Sequence, residues 1–419
     1  MNRRALVRPG RGLAAVSAAC LVAVATGGGP AAAGTTTHAR APGGLPGPVA
    51  ARASVPHTSD LSAVAATSAR NAWAVGFRYN GTADQTLIEH WNGRAWREVA
   101  SPDPGGSFPG SGNQLAGVAA TSARNAWAVG SWTNGTTRRM LIEHWNGRLW
   151  KHVSVSFTGC LKDSDGLSAV TATSASNAWA VGTATSCVFG VKITVILHWD
   201  GHSWHQVTSP DPGAFTDNTL RGVSATSARD AWAVGIYTSS SGLSLPLVAH
   251  WDGHAWTQVA SPTPYDESMG LLGVAARTPA KAWAVGEAST GSLGGTQQLT
   301  FHWNGTTWKQ APSSSQGGRG LGGVAVVPGT RQAWAVGFRV SSTSPLLTFI
   351  ERWTGSSWQR VLSPNPGQGP AQARLNQLQG VTAVSASSAW AVGACSKGAA
   401  LKALVEHWNG RAWRVAFLG

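Results

Sequence analysis

The sequence is poor in charged residues, and poorest in acidic ones. Only 12% of its 419 residues are charged, with 18 Asp and Glu against 32 Lys and Arg. The net charge of +14 falls to +10 without the four arginines that precede residue 34, a stretch that contains no acid. A cationic chain suits anionic partners such as wall polymers, lipid headgroups or nucleic acid. We do not expect nucleic acid, because the basic-aromatic motifs of such modules are absent.

Long apolar runs are also missing. The uncharged run at residues 13–25 has 13 residues, whereas a membrane span needs about 20, so we expect no transmembrane segment. The run lies between a basic start and the small residues "AAAG", which is the plan of a secretory signal. We predict a signal peptide at 1–33 and secretion by the general route, with the twin-arginine route left open by "RRALV". Residues 34–57, rich in Ala, Gly, Pro and Thr, predict a disordered leader.

What the chain does have is tryptophan in a repeated pattern. "NAWAVG" at 71–76 returns at 125–130 and 177–182, with looser copies further on. A spacing of about 52 residues marks a repeat architecture. Every copy begins near a leucine that a valine follows three residues later: Leu61, Leu115, Leu167, Leu220, Leu271, Leu321 and Leu378.

Each copy has the pattern of four short strands. They are "LSAVAAT", "AWAVG", "LIEHW" and "AWREV" in the first copy, bounded by Gly, Pro, Asn, Asp and Ser. Asn-Gly or Asp-Gly usually separates the third strand from the fourth and indicates a tight turn. No helix-period segment appears in the repeats. Seven such units predict an all-β fold, a seven-bladed β-propeller of four antiparallel strands per blade over residues 58–419.

We expect the tryptophans to fill the wedges between blades, because one indole buries about 150–250 Å². A lectin-like aromatic site is the alternative. The pattern includes 21 of the 22 tryptophans: Trp73, Trp91, Trp96, Trp127, Trp145, Trp150, Trp179, Trp199, Trp204, Trp232, Trp251, Trp256, Trp283, Trp303, Trp308, Trp334, Trp353, Trp358, Trp390, Trp408 and Trp413.

These motifs resemble kelch-type repeats, as in galactose-oxidase-like propellers. In that family a glycine pair ends the second strand and a tryptophan opens the fourth, whereas "WAVG" carries one glycine. The longer pattern "WAVG…EHWNG…W…SP-P" is similar to a repeat of exported actinobacterial propellers, mostly of unassigned function. The resemblance covers residues 61–419 and implies a fold rather than an activity.

The loops divide between two faces of such a propeller. On one face, the short-loop face, the turns are nearly invariant, as in "TSARNAW" and "WNGRAW"; on the other, the variable face, they differ in every blade. Binding residues tend to lie on variable loops. The short turns carry a ring of cations that could hold an anionic partner, although solvated turn residues copied by duplication are the alternative. The ring is Arg70, Arg94, Arg124, Arg148, Arg229, Lys281, Arg331 and Arg411.

Histidines and cysteines predict no metal or cofactor site. Six histidines precede the second tryptophan of their repeats, and in a propeller they would be too far apart to share a metal. Three cysteines follow the predicted signal, which suggests one disulfide and one spare thiol. Cys160 and Cys187 both fall on the variable face and are the candidate pair, with Cys395 in a loop of the seventh blade left over.

No catalytic set is visible, so we expect no catalytic residue and no cofactor. The three tyrosines and the small residues of the innermost strands supply neither a sialidase-type nor a copper-radical constellation. The favoured function is a secreted, monomeric, non-catalytic binding or scaffold propeller for an extracellular glycan, an anionic cell-wall polymer or another exported protein. The alternative is a secreted polysaccharide hydrolase or lyase with its site in the variable-face loops.

Overall fold

The seven repeats form seven antiparallel blades of four strands each. This computed structural model describes residues 58–155, 166–213, 215–290, 295–313, 318–340, 346–369 and 374–419. All regular elements in these ranges are strands, and the predicted seven-bladed β-propeller is confirmed. The first two blades are joined through one parallel pairing of Asp84 with Gly112.

Strands are numbered in chain order, four to a blade. The innermost are β1 (Ser59–Ser68), β5 (Ser111–Ser122), β9 (Gly166–Ser174), β13 (Asn218–Ser227), β17 (Met269–Thr278), β21 (Arg319–Val326) and β25 (Asn376–Ser385). The second strands are β2 (Asn71–Tyr79), β6 (Asn125–Asn134), β10 (Asn177–Thr185), β14 (Asp230–Thr238), β18 (Lys281–Thr290), β22 (Ala333–Arg339) and β26 (Ser388–Lys397). The third are β3 (Asp84–Trp91), β7 (Arg138–Trp145), β11 (Lys192–Trp199), β15 (Ser244–Trp251), β19 (Gly295–Trp303), β23 (Leu347–Trp353) and β27 (Ala400–Trp408). The outermost are β4 (Trp96–Glu98), β8 (Trp150–His152), β12 (Trp204–Val207), β16 (Trp256–Gln258), β20 (Trp308–Gln310), β24 (Trp358–Val361) and β28 (Trp413–Leu418).

The innermost strands follow one another around a closed ring. Each contacts the innermost strand of the next blade, and β25 of the last blade returns to β1 of the first. Small residues permit this approach: a Cβ on Gly117 would lie 2.8 Å from the Cα of Ala169 in the next blade. A closed ring leaves no blade face without a neighbour, which a four-stranded sheet with two apolar faces requires.

Indoles fill every wedge in the same way. Trp73 of the second strand is fully buried and meets Trp150 of the next blade edge-on, with ring centroids 5.2 Å apart. Trp145, also of the next blade, lies against Trp73 with ring centroids 4.9 Å apart. The arrangement recurs at all seven interfaces, including the closing one, where Trp390 contacts Trp96 at 5.1 Å. Edge-to-face pairs add about 0.5–1.5 kcal/mol to the burial of each ring.

The "SPxP" segments after the outermost strands do more than end the sheet. Thr86 Oγ1 lies 2.6 Å from Ser101 Oγ, and the backbone N–H of Thr86 donates to Asp103 at 2.8 Å. Thr194 makes the same contacts with Ser209 and Asp211. The segment is therefore hydrogen-bonded into the wedge before the chain enters the next blade.

The N-terminal predictions lie outside the described residues. They are the signal peptide at 1–33 and the leader at 34–57, and both stay predictions. Among the residues that the structure does describe, no helix is long and apolar enough to cross a membrane.

Candidate functional site

The short turns of each blade form a rigid platform on one face. Trp91 Nε1 of the third strand donates to the backbone oxygen of Ala69 at 3.0 Å, which ties the two turns of the blade together. Gly93 has a φ of 91° and lies against Arg70, where a Cβ would come within 3.1 Å of the arginine Cβ. The same indole-to-carbonyl bond recurs in five other blades. Side chains on these turns are thus presented from a fixed backbone.

All eight predicted ring cations lie on this platform and are exposed. Lys281 donates to the backbone oxygen of Asn304 at 3.3 Å. Within the described part of the chain, none of the eight forms an ion pair. Their charge is therefore open to solvent and to an anionic partner.

The acids of the same turns form hydrogen bonds within their own blades. Asp200 Oδ1 accepts the backbone N–H groups of His202 and Ser203, and these bonds lower the pKa of Asp200. Asp252 makes the equivalent pair of contacts. Asp230 is buried and bonds His250 Nε2 at 2.8 Å. Each acid is hydrogen-bonded within its own blade, and among the described residues none of them forms an ion pair with a ring cation.

The cations are distributed unevenly around the ring. The acids Asp200, Asp230 and Asp252 all belong to blades 3 and 4, and the other five blades have none on these turns. Blade 5 carries one ring cation, Lys281, which donates to its own blade. We call the six cations of blades 6, 7, 1 and 2 the cationic arc: Arg331, Arg411, Arg70, Arg94, Arg124 and Arg148. Six of the eight cations predicted to form a ring thus belong to four neighbouring blades.

The repeated histidines are packing residues, and they do not converge. His90 stacks on Trp73 with ring centroids 4.1 Å apart, and its Nε2 lies 2.8 Å from Asn71 Oδ1. Burial lowers the pKa of His90, which favours the neutral ring. In the sixth blade Arg352 takes this place and lies 5.7 Å over the Trp334 ring. In the described residues no three His, Cys, Asp or Glu side chains are grouped to hold a metal ion.

The cysteine predictions have mixed outcomes. Cys187 is disulfide-bonded, but Cys160 lies outside the described residues, so their pairing stays a prediction. Cys395 is a free thiol, as expected, yet its predicted place in a loop is wrong. It lies inside β26 and is buried, because the second strand of blade 7 continues past the glycine of "WAVG" for four more residues.

Several acids of the variable face hold backbone in place. Asp211 accepts the N–H of Thr194, and Asp217 accepts that of Lys192 at 2.9 Å. Asp163 and Asp165 lie outside the described residues. Carboxylates occupied by backbone donors are poor candidates for acid–base catalysis, and the sequence alone does not reveal this occupation.

The innermost strands contain ionisable groups that the prediction of small residues overlooks. Asp60 in β1 is buried, and burial raises its pKa to about 7. Gln379 of the last blade donates to Asp60 Oδ2 at 2.9 Å. Arg221 lies in β13, the innermost strand of blade 4. The Asp60 bond crosses the closing interface and joins the first repeat to the last.

Comparison with known proteins gives the fold and nothing finer. The chain matches no protein family profile, and no curated protein matches it by sequence. Among solved structures it is similar to YCF48 bound to D1 peptide, at 13% identity and a TM-score of 0.48, covering 81% of this chain and 90% of that one. It is also similar to the acylaminoacyl peptidase of Pyrococcus horikoshii, at 8% identity and a TM-score of 0.50, covering 86% of this chain and 52% of the peptidase, about half its length. A PL25 ulvan lyase bound to a GlcA–Rha3S saccharide is a third, at 9% identity, a TM-score of 0.45, and coverage of 71% and 81%.

Proposed function

We propose that this protein is a secreted, non-catalytic binding propeller that holds an anionic cell-wall polymer on the cationic arc. The observation that carries the proposal is six exposed cations on four neighbouring blades, without an ion pair among the described residues. A surface of one charge raises the local concentration of an oppositely charged polymer. Secretion is supported by the signal-like N-terminus, and kelch-type kinship by the repeat sequence.

The platform supports the proposal because it reduces the entropy lost on binding. The turns that carry Arg70 and Arg94 are tied by the Trp91 indole, so the backbone beneath the cations is ordered before a ligand arrives. Preorganised surfaces bind more tightly than mobile ones of the same composition. A polymer with a charge on every unit can contact several blades at once, which adds avidity.

The test is co-sedimentation with insoluble anionic cell-wall material. We expect retention at about 50 mM salt and release at several hundred millimolar, because the screening length falls below about 10 Å. A triple variant, Arg94→Ala, Arg124→Ala and Arg148→Ala, should lose retention at low salt. The control removes the same charge from exposed positions off the platform, with Arg139→Ala, Lys151→Ala and Lys309→Ala. Equal retention of the two triple variants would refute the cationic arc.

A glycosidase and lyase panel run on the same samples separates binding from turnover. Turnover that disappears when one variable-face acid is replaced would favour the enzyme over the binding protein.

A further inference from the structure

Three arginines of blade 6 lie together on its variable-face side, and we call Arg319, Arg339 and Arg360 the arginine cluster. Arg319 begins β21 and lies directly opposite Arg339, which ends β22. Arg360 belongs to β24, the outermost strand of the same blade. Like charges directly opposite each other in a sheet destabilise it. The cluster is therefore costly unless an anion lies among its members. None of the three belongs to the cationic arc, which lies on the short-loop face.

The first blade shows how close these positions bring two side chains. By strand register, Arg78 and Glu98 of blade 1 occupy the positions that Arg339 and Arg360 occupy in blade 6. Arg78 Nη1 lies 3.0 Å from Glu98 Oε1. Blade 6 thus places two guanidinium groups where blade 1 has an ion pair. Neither Arg339 nor Arg360 forms an ion pair within the described part of the chain.

The three charges act on one another. Burial, and then the charges of Arg360 and Arg319, lower the pKa of Arg339. Burial also lowers the pKa of Arg319, where the charge of Glu351 opposes the shift and that of Arg360 adds to it. Arg360 is exposed and the other two arginines are partly exposed. A ligand from solvent can therefore reach a region where three guanidinium charges overlap.

Buried residues of the same interface hold part of the cluster in place. Arg319 Cζ lies 5.2 Å from the centroid of the Phe349 ring, which is buried, and such a contact orients a guanidinium group. Glu351 Oε2 accepts a hydrogen bond from Gln298 Nε2 at 2.8 Å, and its Oε1 accepts one from Ser313 Oγ at 2.7 Å. The Glu351 carboxylate balances one of the three arginines, which leaves an excess of two positive charges.

An excess of two positive charges suits a dianion. A phosphate monoester carries about −1.5 to −2 charges at pH 7 and has three strong acceptor oxygens. The planar fork of a guanidinium group matches two of these oxygens. A carboxylate or a sulfate ester carries one charge and would leave one arginine unbalanced. Glu287 of blade 5 also lies at this interface, where burial raises its pKa and so reduces the negative charge that it carries.

We propose that the arginine cluster binds a phosphate group, as the free ion or as a monoester. The phosphate oxygens accept hydrogen bonds from the Nη groups of the three arginines, and the dianion removes the repulsion between Arg339 and Arg360. This site is independent of the polymer surface proposed above, because the two have different residues and lie on different faces.

Calorimetric titration of the purified full chain, at constant ionic strength and in buffer free of phosphate and sulfate, tests the proposal. Glucose 6-phosphate should bind at least tenfold more tightly than glucose 6-sulfate, the same sugar with one charge fewer on its ester. Inorganic phosphate is the second ligand. Equal affinity for glucose 6-phosphate and inorganic phosphate means that the site accepts an esterified ligand, whereas binding of inorganic phosphate alone identifies the free ion.

A charge reversal inside the cluster gives two readouts. Arg360→Glu places a carboxylate where blade 1 has Glu98. It should reduce the affinity for phosphate at least tenfold, and it should raise Tm in phosphate-free buffer, because an ion pair with Arg339 replaces a repulsion. Arg414→Glu, at an exposed position of β28, is the control. It should bind phosphate like the native chain and should not raise Tm.

Three outcomes would overturn the proposal. They are no binding of phosphate in either form, a glucose 6-sulfate affinity equal to that of glucose 6-phosphate where the ester binds, and an Arg360→Glu variant that keeps native affinity. If Arg360→Glu melts below the native chain, Arg360→Gln takes its place, since it removes the charge without reversing it. The cell-wall assay tests the cationic arc alone, so a failure there leaves the phosphate site intact.

Discussion

Replacing Glu143 by glutamine should stabilise the protein increasingly as the pH rises. Glu143 in β7 is 0% exposed, and neither carboxyl oxygen has a hydrogen-bond partner among the described residues. Burial, and then the charge of Asp103, raises the pKa of Glu143 from 4.5 to about 9. Below pH 4.5 the carboxyl is protonated in both the folded and the unfolded chain, so it contributes no pH dependence. Above pH 4.5 the unfolded chain releases the proton that the folded chain keeps, and stability falls.

The magnitude follows from the size of the shift. Each pH unit between the two pKa values costs about 1.4 kcal/mol, so the rise from pH 5 to pH 7 costs about 3 kcal/mol. A propeller of about 360 residues has an unfolding entropy near 0.8 kcal/mol/K, so this corresponds to about 4 °C in Tm. The amide of Glu143→Gln does not titrate, and any cost of burying it is the same at every pH.

The assay is thermal unfolding at pH 5, 7 and 9, followed by tryptophan fluorescence. The Tm of Glu143→Gln minus that of the native chain should grow by about 4 °C from pH 5 to pH 7, and by nearly as much again from pH 7 to pH 9. Asp266→Asn, at an exposed acid between blades 4 and 5, is the control and should show a flat difference. A Tm difference for Glu143→Gln that stays the same at all three pH values would refute the idea that this carboxyl is buried without a stabilising partner.

Three other substitutions test the wedge contacts by thermal or chemical denaturation. Trp73→Ala should cost about 3–5 kcal/mol, because it empties a fully buried wedge position; a loss no larger than that of Trp132→Ala, outside the repeat pattern, would contradict this. Thr194→Val should cost about 1 kcal/mol, since it removes the contact with Ser209 at 2.7 Å; an unchanged midpoint would count against the segment as a structural link. Arg352→His should change stability by less than about 1 kcal/mol, because an imidazole restores the stack of the other six blades; a large loss would mean that the guanidinium has a further role.

The propeller is readable from the sequence because its signals are local and repeated. Alternation in "LSAVAAT" predicts the first strand, and β1 extends it by a few residues, to Ser59–Ser68. Asn-Gly predicts a left-handed turn residue, and Gly93 has a φ of 91°. The fourth strand is shorter than predicted, at Trp96–Glu98. The backbone N–H of Val99 still donates to the carbonyl oxygen of Ile88 at 2.8 Å, and the chain then turns into the wedge between the blades.

The sites are less readable because they depend on contacts between repeats. The glutamate of "IEHW" shares a face with Trp91 two residues later, so alternation could have placed Glu89 at a blade interface. Among the described residues, Glu89 Oε2 has no hydrogen-bond partner. Whether it finds one depends on residues of the neighbouring blade, so this cannot be read from the repeat that contains Glu89.

One half of the ring differs from the other in two ways. Buried glutamates precede the His or Arg of the third strand only in blades 6, 7, 1 and 2: Glu351, Glu406, Glu89 and Glu143. Blades 3, 4 and 5 have Leu197, Ala249 and Phe301 there. The cationic arc occupies the same four blades. Apolar residues at the glutamate position suffice for packing in three blades, so the carboxylates are not needed to close the ring. Burial raises the pKa values of Glu89, Glu143 and Glu406 to about 7, 9 and 8, so these three carboxyls reduce stability as the pH rises toward neutrality. That cost falls on the half of the ring that carries the cationic arc, as expected where binding and stability compete.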